Sequence, residues 1–215
     1  MSMVLGIAAL VGVSAITPGP NNVAVMGAAA HRGFAGALPA IAGVVLGTLI
    51  MLLVAVAGVG AALAAVPALG LLMSIAGCLY LCYLGGRMTT ARATGGANPR
   101  VAPAGAPSDM LGLFVFQFLN PKGWAMVLTA VSAAQASGGS ATIVAYLAAI
   151  FVIVPGACLA LWSVSGALLS SQLRRPMFRL WFDRAMGGAL IASALAMLVN
   201  AWSASGSALD GGLAP

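Results

Sequence analysis

Two short polar segments interrupt stretches of apolar residues in this chain. The first is Thr17–Asn22 (Thr-Pro-Gly-Pro-Asn-Asn), and the second is Asn120–Gly123 (Asn-Pro-Lys-Gly), which holds the chain's single lysine. Proline lacks a backbone N–H and disrupts the helix around it, so the polar backbone groups that it frees need partners. In hydrocarbon, such backbone is tolerated only where it is buried in protein or lines a polar cavity. The two segments therefore predict a polar site within an apolar structure.

Each polar segment can begin a helix whose amide end faces this site. Pro20 suits the first turn of a helix, where its missing N–H costs nothing, and Asn120 followed by Pro121 is a typical helix start. Backbone amides at a helix N-terminus attract anions, aided by the helix dipole. We therefore expect the amides of residues 21–23 and the Lys122 ammonium to bind a carboxylate or another anion.

The backbone carbonyls before the prolines predict the other half of a ligand. Carbonyls freed around residues 15–17 and 118–119 would accept hydrogen bonds from an ammonium group. We place Asp109 and Asp183 in connections and Asp210 in the tail, so no acidic residue lies inside an apolar run. A bare metal cation or a dibasic side chain would normally need such a carboxylate. The pattern favours a neutral, zwitterionic amino acid.

The candidate substrate-binding residues are those of the two polar segments and one polar residue a turn before the second. They are Thr17, Pro18, Gly19, Pro20, Asn21, Asn22, Gln117, Asn120, Pro121 and Lys122. Two simpler readings stay open: the prolines could be plain kinks, and Lys122 could extend to the lipid headgroups. Residues 112–119 are apolar enough to hold Lys122 well inside, so we expect it in the site.

The elements that must position these residues are membrane-spanning helices. Of the 215 residues, 62% are hydrophobic and 6% are charged, whereas a soluble domain has about 25% charged residues. A helix needs about 20 apolar residues to cross a bilayer. Such runs lie at about 4–28, 36–60, 67–88, 111–133, 141–168 and 185–204. We predict an all-α membrane protein with six transmembrane helices in a single domain over 1–215.

A linker at about 89–109, rich in Thr, Ala, Gly and Pro, divides the six runs into halves at about 1–88 and 110–205. Three spans per half give the halves opposite orientations, as in transporters built from inverted repeats with broken helices at corresponding positions. Spans 1 and 4 each lead their half and carry the proline breaks. Gly43 and Gly47 form a G-x-x-x-G pair, which predicts close helix packing.

The net charge of +6 is distributed as the positive-inside rule expects of cytoplasmic loops. The arginines are Arg32, Arg87, Arg92, Arg100, Arg174, Arg175, Arg179 and Arg184, all in connections on one side. This predicts a multi-pass membrane protein with both termini outward. The first span lacks the preceding Lys or Arg of a signal peptide, so we expect it to stay uncleaved. No basic stripe for nucleic acid is present in the sequence.

The residues needed for several other chemistries are missing from the sequence. His31 has no second histidine to partner it, and the cysteines form no C-x-x-C motif. Cys78 and Cys82 share a helix face and could bind a soft metal, but we expect buried thiols that act as small apolar residues. We therefore predict no enzyme activity, no metal site and no cofactor.

At its two breaks the sequence resembles the LysE/RhtB family of amino-acid exporters. The family's T-P-G-P-N is Thr17–Asn21 here, and its N-P-K is Asn120–Lys122. Gly77–Leu81 with Leu84 and Gly85 matches its G-x-x-Y-L-x-x-x-G third span. The resemblance runs over about 16–198, and the doubled asparagine is similar to the branch that exports cysteine and O-acetylserine.

The resemblance implies a secondary transporter that exports small neutral amino acids or derivatives, of the homoserine/threonine, cysteine or O-acetylserine type. It also implies alternating access, proton coupling, the lipid bilayer of the bacterial inner membrane as surroundings and a possible homo-oligomer. The alternative is a passive channel or a heavy-metal cation efflux protein of the wider superfamily. Many members have an acidic residue where Thr48 stands. Thr48 and Lys122 are therefore the candidates for proton coupling, with the substrate's own ammonium as a further carrier.

Overall fold

The computed structural model describes residues 2–59, 67–90, 108–136, 138 and 140–210, and within them every regular element is a helix. The described residues form seven α-helices: α1 (Ser2–Ile16), α2 (Pro20–Val54), α3 (Pro67–Thr89), α4 (Met110–Phe118), α5 (Pro121–Ala136), α6 (Ala141–Leu169) and α7 (Pro176–Asp210). A π-helical turn, Ala55–Val59, follows α2, and a 3-10 turn, Gln172–Arg174, precedes α7. Most of the predicted linker, including Arg92 and Arg100, lies outside the described residues.

Three of these helical stretches are long and apolar enough to cross a membrane: Pro20–Gly58, Ala141–Leu169 and Pro176–Val199. Met3–Ile16 is a shorter apolar helix. The first predicted run is shared between α1 and the start of α2, and the fourth is shared between α4 and α5. The all-helical fold and its apolar helices agree with the predicted class of membrane protein.

The chain bends inside α2 at Gly33. Its backbone has φ 74° and ψ 174°, which is non-helical and rarely adopted by residues with a side chain. A straight helix of 35 residues would be about 52 Å long, well over the roughly 30 Å of a bilayer core. Gly33 therefore separates two helical segments, at the place where the sequence predicts the connection between runs 1 and 2.

The helices are interrupted at both polar segments. Helix α1 ends at Ile16 and α2 begins at Pro20, preceded by Gly19 in an extended conformation. Helix α4 ends at Phe118 and α5 begins at Pro121. Each proline occupies the first helical position, where it removes no helical hydrogen bond. Two helix ends and two helix starts result, each with backbone groups that need partners.

The expectation that Asp183 lies in a connection is wrong. Helix α7 begins at Pro176 rather than at about 185, so Asp183 is inside it and only 6% exposed. Its carboxylate lies 3.5 Å from Arg179, one turn earlier. Hydropathy marks where the apolar run begins, whereas the helix begins where Pro176 can start it. The paired arginine lets the helix carry the acid.

Glycines let the helices that carry the breaks pack closely. A Cβ on Gly43 would overlap the Met110 backbone carbonyl, so this part of α2 lies directly against the start of α4. A Cβ on Gly47 would lie 2.8 Å from the Gln117 side chain. A Cβ on Gly77 of α3 would overlap the Pro121 ring. The predicted packing role of Gly43 and Gly47 is confirmed, with α4 as the partner.

An apolar core joins α1, α2, α5 and α6. Phe151 of α6 is fully buried there, together with Val11 of α1, Met51 of α2 and Val127 of α5. Between helices in a bilayer, such side chains stabilise the fold by van der Waals packing rather than by removal from water. The core fixes α1 and α5 relative to each other, and these helices carry the two sides of the site.

We expect Gly77→Ala to destabilise the protein and Gly86→Ala, on the same helix, to leave it unchanged or more stable. The new methyl group at position 77 would overlap Pro121, whereas a Cβ at position 86 meets nothing within 4 Å. Overpacking of this kind costs about 1–3 kcal/mol. Thermal unfolding of both purified variants in detergent tests this. Equal midpoints would contradict the close approach of α3 and α5.

Candidate functional site

The Lys122 side chain connects the two breaks. Its Nζ donates one hydrogen bond to the Thr17 backbone carbonyl, at 3.0 Å, and another to Thr17 Oγ1, at 2.8 Å. The two residues are 105 positions apart in the chain. The ammonium therefore lies against the C-terminal end of α1. Hydrogen bonds from an ammonium are stronger than those between neutral groups.

The carbonyls freed at the end of α1 already have partners. Asn22 is 5% exposed, and its Nδ2 donates to the carbonyls of Ala15, at 3.0 Å, and Thr17, at 2.9 Å. Trp162 Nε1 donates to the carbonyl of Ile16, at 3.3 Å. Side chains of the protein itself therefore donate to these carbonyls, and the expectation that a substrate ammonium also binds them stays a prediction.

Two further carbonyls near the prolines also accept hydrogen bonds from side chains. Trp124 Nε1 donates to the Phe118 carbonyl at 2.9 Å, and Ser193 Oγ donates to the Pro18 carbonyl at 3.3 Å. The sequence gives no reason to single out Ser193. The one usable signal is that an indole N–H in an apolar helix needs an acceptor, and a proline break supplies one.

The helix starts are partly capped. Asn120 Oδ1 accepts from the Lys122 backbone N–H at 3.1 Å, which confirms the predicted cap of α5. The Val23 backbone N–H donates to the Gly19 carbonyl at 3.1 Å, within the first turn of α2. The backbone amide of Val23, expected to face an anion, is thus engaged inside the protein. The positive charge of the Lys122 ammonium also attracts anions to this site.

A buried side-chain network centres on Gln117, which is 2% exposed. Gln117 Nε2 donates to Thr48 Oγ1 at 2.6 Å, and Thr48 Oγ1 donates to the Val44 carbonyl at 2.8 Å. Gln117 Oε1 accepts from Asn21 Nδ2 at 2.8 Å and from Asn120 Nδ2 at 3.4 Å. One glutamine thus connects both breaks to α2.

A cavity of ≈ 50 Å³ lies at this network. Its lining comprises Ser14, Ala15, Gly19, Pro20, Asn21, Asn22, Val44, Thr48, Gln117, Asn120, Lys122, Gly123, Met126, Pro155 and Leu159. Among these residues Lys122 is the one charged side chain. The volume is room for about three or four water molecules. A ligand with more heavy atoms requires the surrounding helices to move apart.

A wider groove adjoins this cavity. It has a volume of ≈ 390 Å³ and is lined by residues of α1, α5 and α7, among them Leu10, Thr129 and Ala196. Ser14, Lys122 and Met126 line both spaces. Lys122 therefore lies between the small polar cavity and the larger groove.

A family model described as "LysE type translocator" matches residues 4–201. This chain belongs to the LysE family. It is 35% identical over 121 residues to a protein of Salmonella typhi named "Cysteine/O-acetylserine efflux protein", an alignment that covers 56% of the chain and 59% of the relative. It is 32% identical over 111 residues to the Escherichia coli (strain K12) protein of the same name, covering 51% of the chain and 54% of the relative. The chain thus matches little more than half the length of these relatives. No solved structure matches it.

In this LysE-family protein the structure brings together most of the predicted residues. Seven of them line the cavity: Gly19, Pro20, Asn21, Asn22, Gln117, Asn120 and Lys122. Thr17 lines the groove and accepts from Lys122. Pro18 and Pro121 shape the breaks without lining the cavity. Cys78 lies elsewhere, with its thiol donating to the Ala194 carbonyl.

We expect Asn22→Leu to lower the stability of this LysE-family protein by about 1–3 kcal/mol. Leucine has a similar shape but donates no hydrogen bond, so the carbonyls of Ala15 and Thr17 lose a donor in a buried position. Thr129→Val is the control, because the exposed Thr129 hydroxyl only bonds within its own helix. Thermal unfolding in detergent provides the measurement, and a wild-type midpoint for Asn22→Leu would refute this role of Asn22.

Proposed function

We propose that this chain is a six-span secondary transporter of the bacterial inner membrane, with two inverted halves and outward termini. In this proposal it exports small neutral amino acids or their derivatives, of the cysteine and O-acetylserine type, by proton-coupled alternating access. The supporting observation is a polar cavity where two proline-broken helices meet, with one cation and no carboxylate in its lining. The names of the relatives support the same class of cargo.

The chemistry of the cavity favours a zwitterion with an uncharged side chain. Lys122 would neutralise the substrate carboxylate, and the amides of Asn21, Gln117 and Asn120 would offer neutral hydrogen-bonding groups. A second net positive charge on the ligand would face Lys122 without a compensating carboxylate among the lining residues. The small volume and the apolar walls, such as Leu159, favour a short side chain.

The contact between Lys122 and Thr17 suggests how binding could move the helices. The ammonium is held by two neutral oxygens of Thr17, and a substrate carboxylate makes stronger, charge-assisted hydrogen bonds. A substrate that takes over Lys122 would release the end of α1 from α5. The cavity and the adjoining groove would then join into a route past Lys122. In this proposal the contact between Thr17 and Lys122 holds α1 against α5, and it breaks and re-forms during the alternating-access cycle.

Of the two candidates for proton coupling, the surroundings favour Lys122. Thr48 is 1% exposed, and its hydroxyl is committed to the Val44 carbonyl and the Gln117 amide. A threonine hydroxyl does not ionise in the range where a proton gradient acts. A lysine in a low-dielectric site can gain and lose a proton, and Lys122 changes partners during the proposed cycle.

We expect Lys122→Met to reduce export of cysteine and O-acetylserine by about 10- to 100-fold, because hydrogen bonds to charged groups contribute about 1.5–3 kcal/mol. Arg175→Met is the control, since Arg175 is exposed between α6 and α7. Amino acids released by cells that overexpress each variant at matched membrane levels provide the readout. Undiminished efflux from Lys122→Met would remove the basis for this site.

The same cells separate a pump from a passive channel and from a metal exporter. A proton-coupled pump exports against a concentration gradient and stops when an uncoupler is added, whereas a channel only equilibrates. Cys78→Ala and Cys82→Ala should leave amino-acid export intact, because neither cysteine lines the cavity. Loss of heavy-metal resistance in these variants, with no amino-acid export by the wild type, would favour the metal alternative.

A further inference from the structure

One end of the buried network has a fixed hydrogen-bond direction because it ends on a backbone carbonyl. The Val44 carbonyl can only accept, so the single proton of the Thr48 hydroxyl points to it. The Gln117 group 2.6 Å from Thr48 Oγ1 must then be the donor, which is the Nε2 amide. Gln117 Oε1 therefore faces away from Thr48.

A second backbone group fixes the network independently. The Lys122 backbone N–H can only donate, so the Asn120 atom that lies 3.1 Å from it is the oxygen. The Asn120 Nδ2 then faces Gln117, at 3.4 Å from Oε1. The two anchors, one on α2 and one on α5, require the same orientation of Gln117.

Together the anchors determine the orientation of Asn21. The atom that lies 2.8 Å from Gln117 Oε1 must be a donor, so it is Asn21 Nδ2. Asn21 Oδ1 therefore points away from Gln117. This oxygen is buried, and no group of the described residues donates to it. Buried carbonyl oxygens normally have a donor, and Asn21 lines the polar cavity.

Resting on the proposed function, we propose that Asn21 Oδ1 accepts a hydrogen bond from the substrate ammonium, and that Gln117 and Thr48 are positioning residues that hold this oxygen in place. An ammonium has three donors and no acceptor, so it complements an oxygen whose orientation cannot reverse. Lys122 supplies the partner for the carboxylate. A neutral acceptor suits an ammonium whose charge is balanced within the ligand itself.

An acceptor fixed in this way makes the site selective for ligands that carry an ammonium. A compound that keeps the carboxylate but lacks the ammonium could still reach Lys122, yet it would leave Asn21 Oδ1 without a donor. Sites built to hydrogen-bond an N–H of the substrate strongly reject analogues that lack it. The protein should therefore discriminate between two isomers, O-acetyl-L-serine and N-acetyl-L-serine. They have the same atoms, and only the first has a free ammonium.

The test measures binding and uptake of both isomers by the full chain. Binding is followed by the ligand-induced rise in unfolding temperature, and uptake by flux into proteoliposomes, below pH 7 to limit acetyl migration. The wild type should prefer O-acetyl-L-serine by about tenfold or more. Asn21→Leu should lose most of this preference. Lys122→Met should weaken binding of both isomers, because both carry the carboxylate.

The Thr48 variants keep the test decisive if Asn21→Leu folds poorly. Thr48→Val removes the hydroxyl that orients Gln117 and should reduce the preference, whereas Thr48→Ser keeps the hydroxyl and should restore it. An unchanged preference in Asn21→Leu, or in Thr48→Val where Asn21→Leu does not fold, would overturn the role of Asn21. Binding with the expected preference but without uptake would contradict the proposed transport function alone. Failure of the wild type to bind either isomer would overturn both.

Discussion

The structure around the site depends on one constraint, which is that every backbone group freed by the two proline breaks must find a partner within an apolar bundle. At the end of α1 the partners are Asn22, Trp162 and the Lys122 ammonium. Lys122 belongs to α5, so the same contact that satisfies the Thr17 carbonyl also holds the two broken regions together. A single lysine thus stabilises the backbone and presents the only positive charge in the cavity lining.

Close packing makes this arrangement possible. Gly47 lets α2 approach Gln117, and Gly77 lets α3 approach the Pro121 ring. Gln117 then lies where it can bond to Thr48 of α2, Asn21 at the first break and Asn120 at the second. Because the network ends on backbone groups, its polarity is set by the fold rather than by a choice between equivalent amide orientations. Donors and acceptors with fixed orientations can distinguish the ammonium end of a ligand from its carboxylate end.

Local rules were enough to predict part of this from the sequence. The helix class follows from composition, and the cap at Asn120 with a helix start at Pro121 follows from neighbouring residues alone. The partners of the freed carbonyls could not be predicted, because Trp162 and Ile16 are 146 positions apart. Asp183 was misplaced since hydropathy does not show that α7 begins at Pro176. Helix content could be predicted from the sequence, whereas hydrogen bonds between residues far apart in the chain could not.

In the proposed cycle, Lys122 exchanges Thr17 for a substrate carboxylate. Because Lys122 is the chain's single lysine, protein labelled with 13Cε-lysine gives one lysine signal in an NMR spectrum. Titration with O-acetyl-L-serine should shift this signal in a saturable manner, whereas ethanolamine, which has an ammonium but no carboxylate, should not shift it. An unchanged lysine signal at O-acetyl-L-serine concentrations that saturate export would contradict the account.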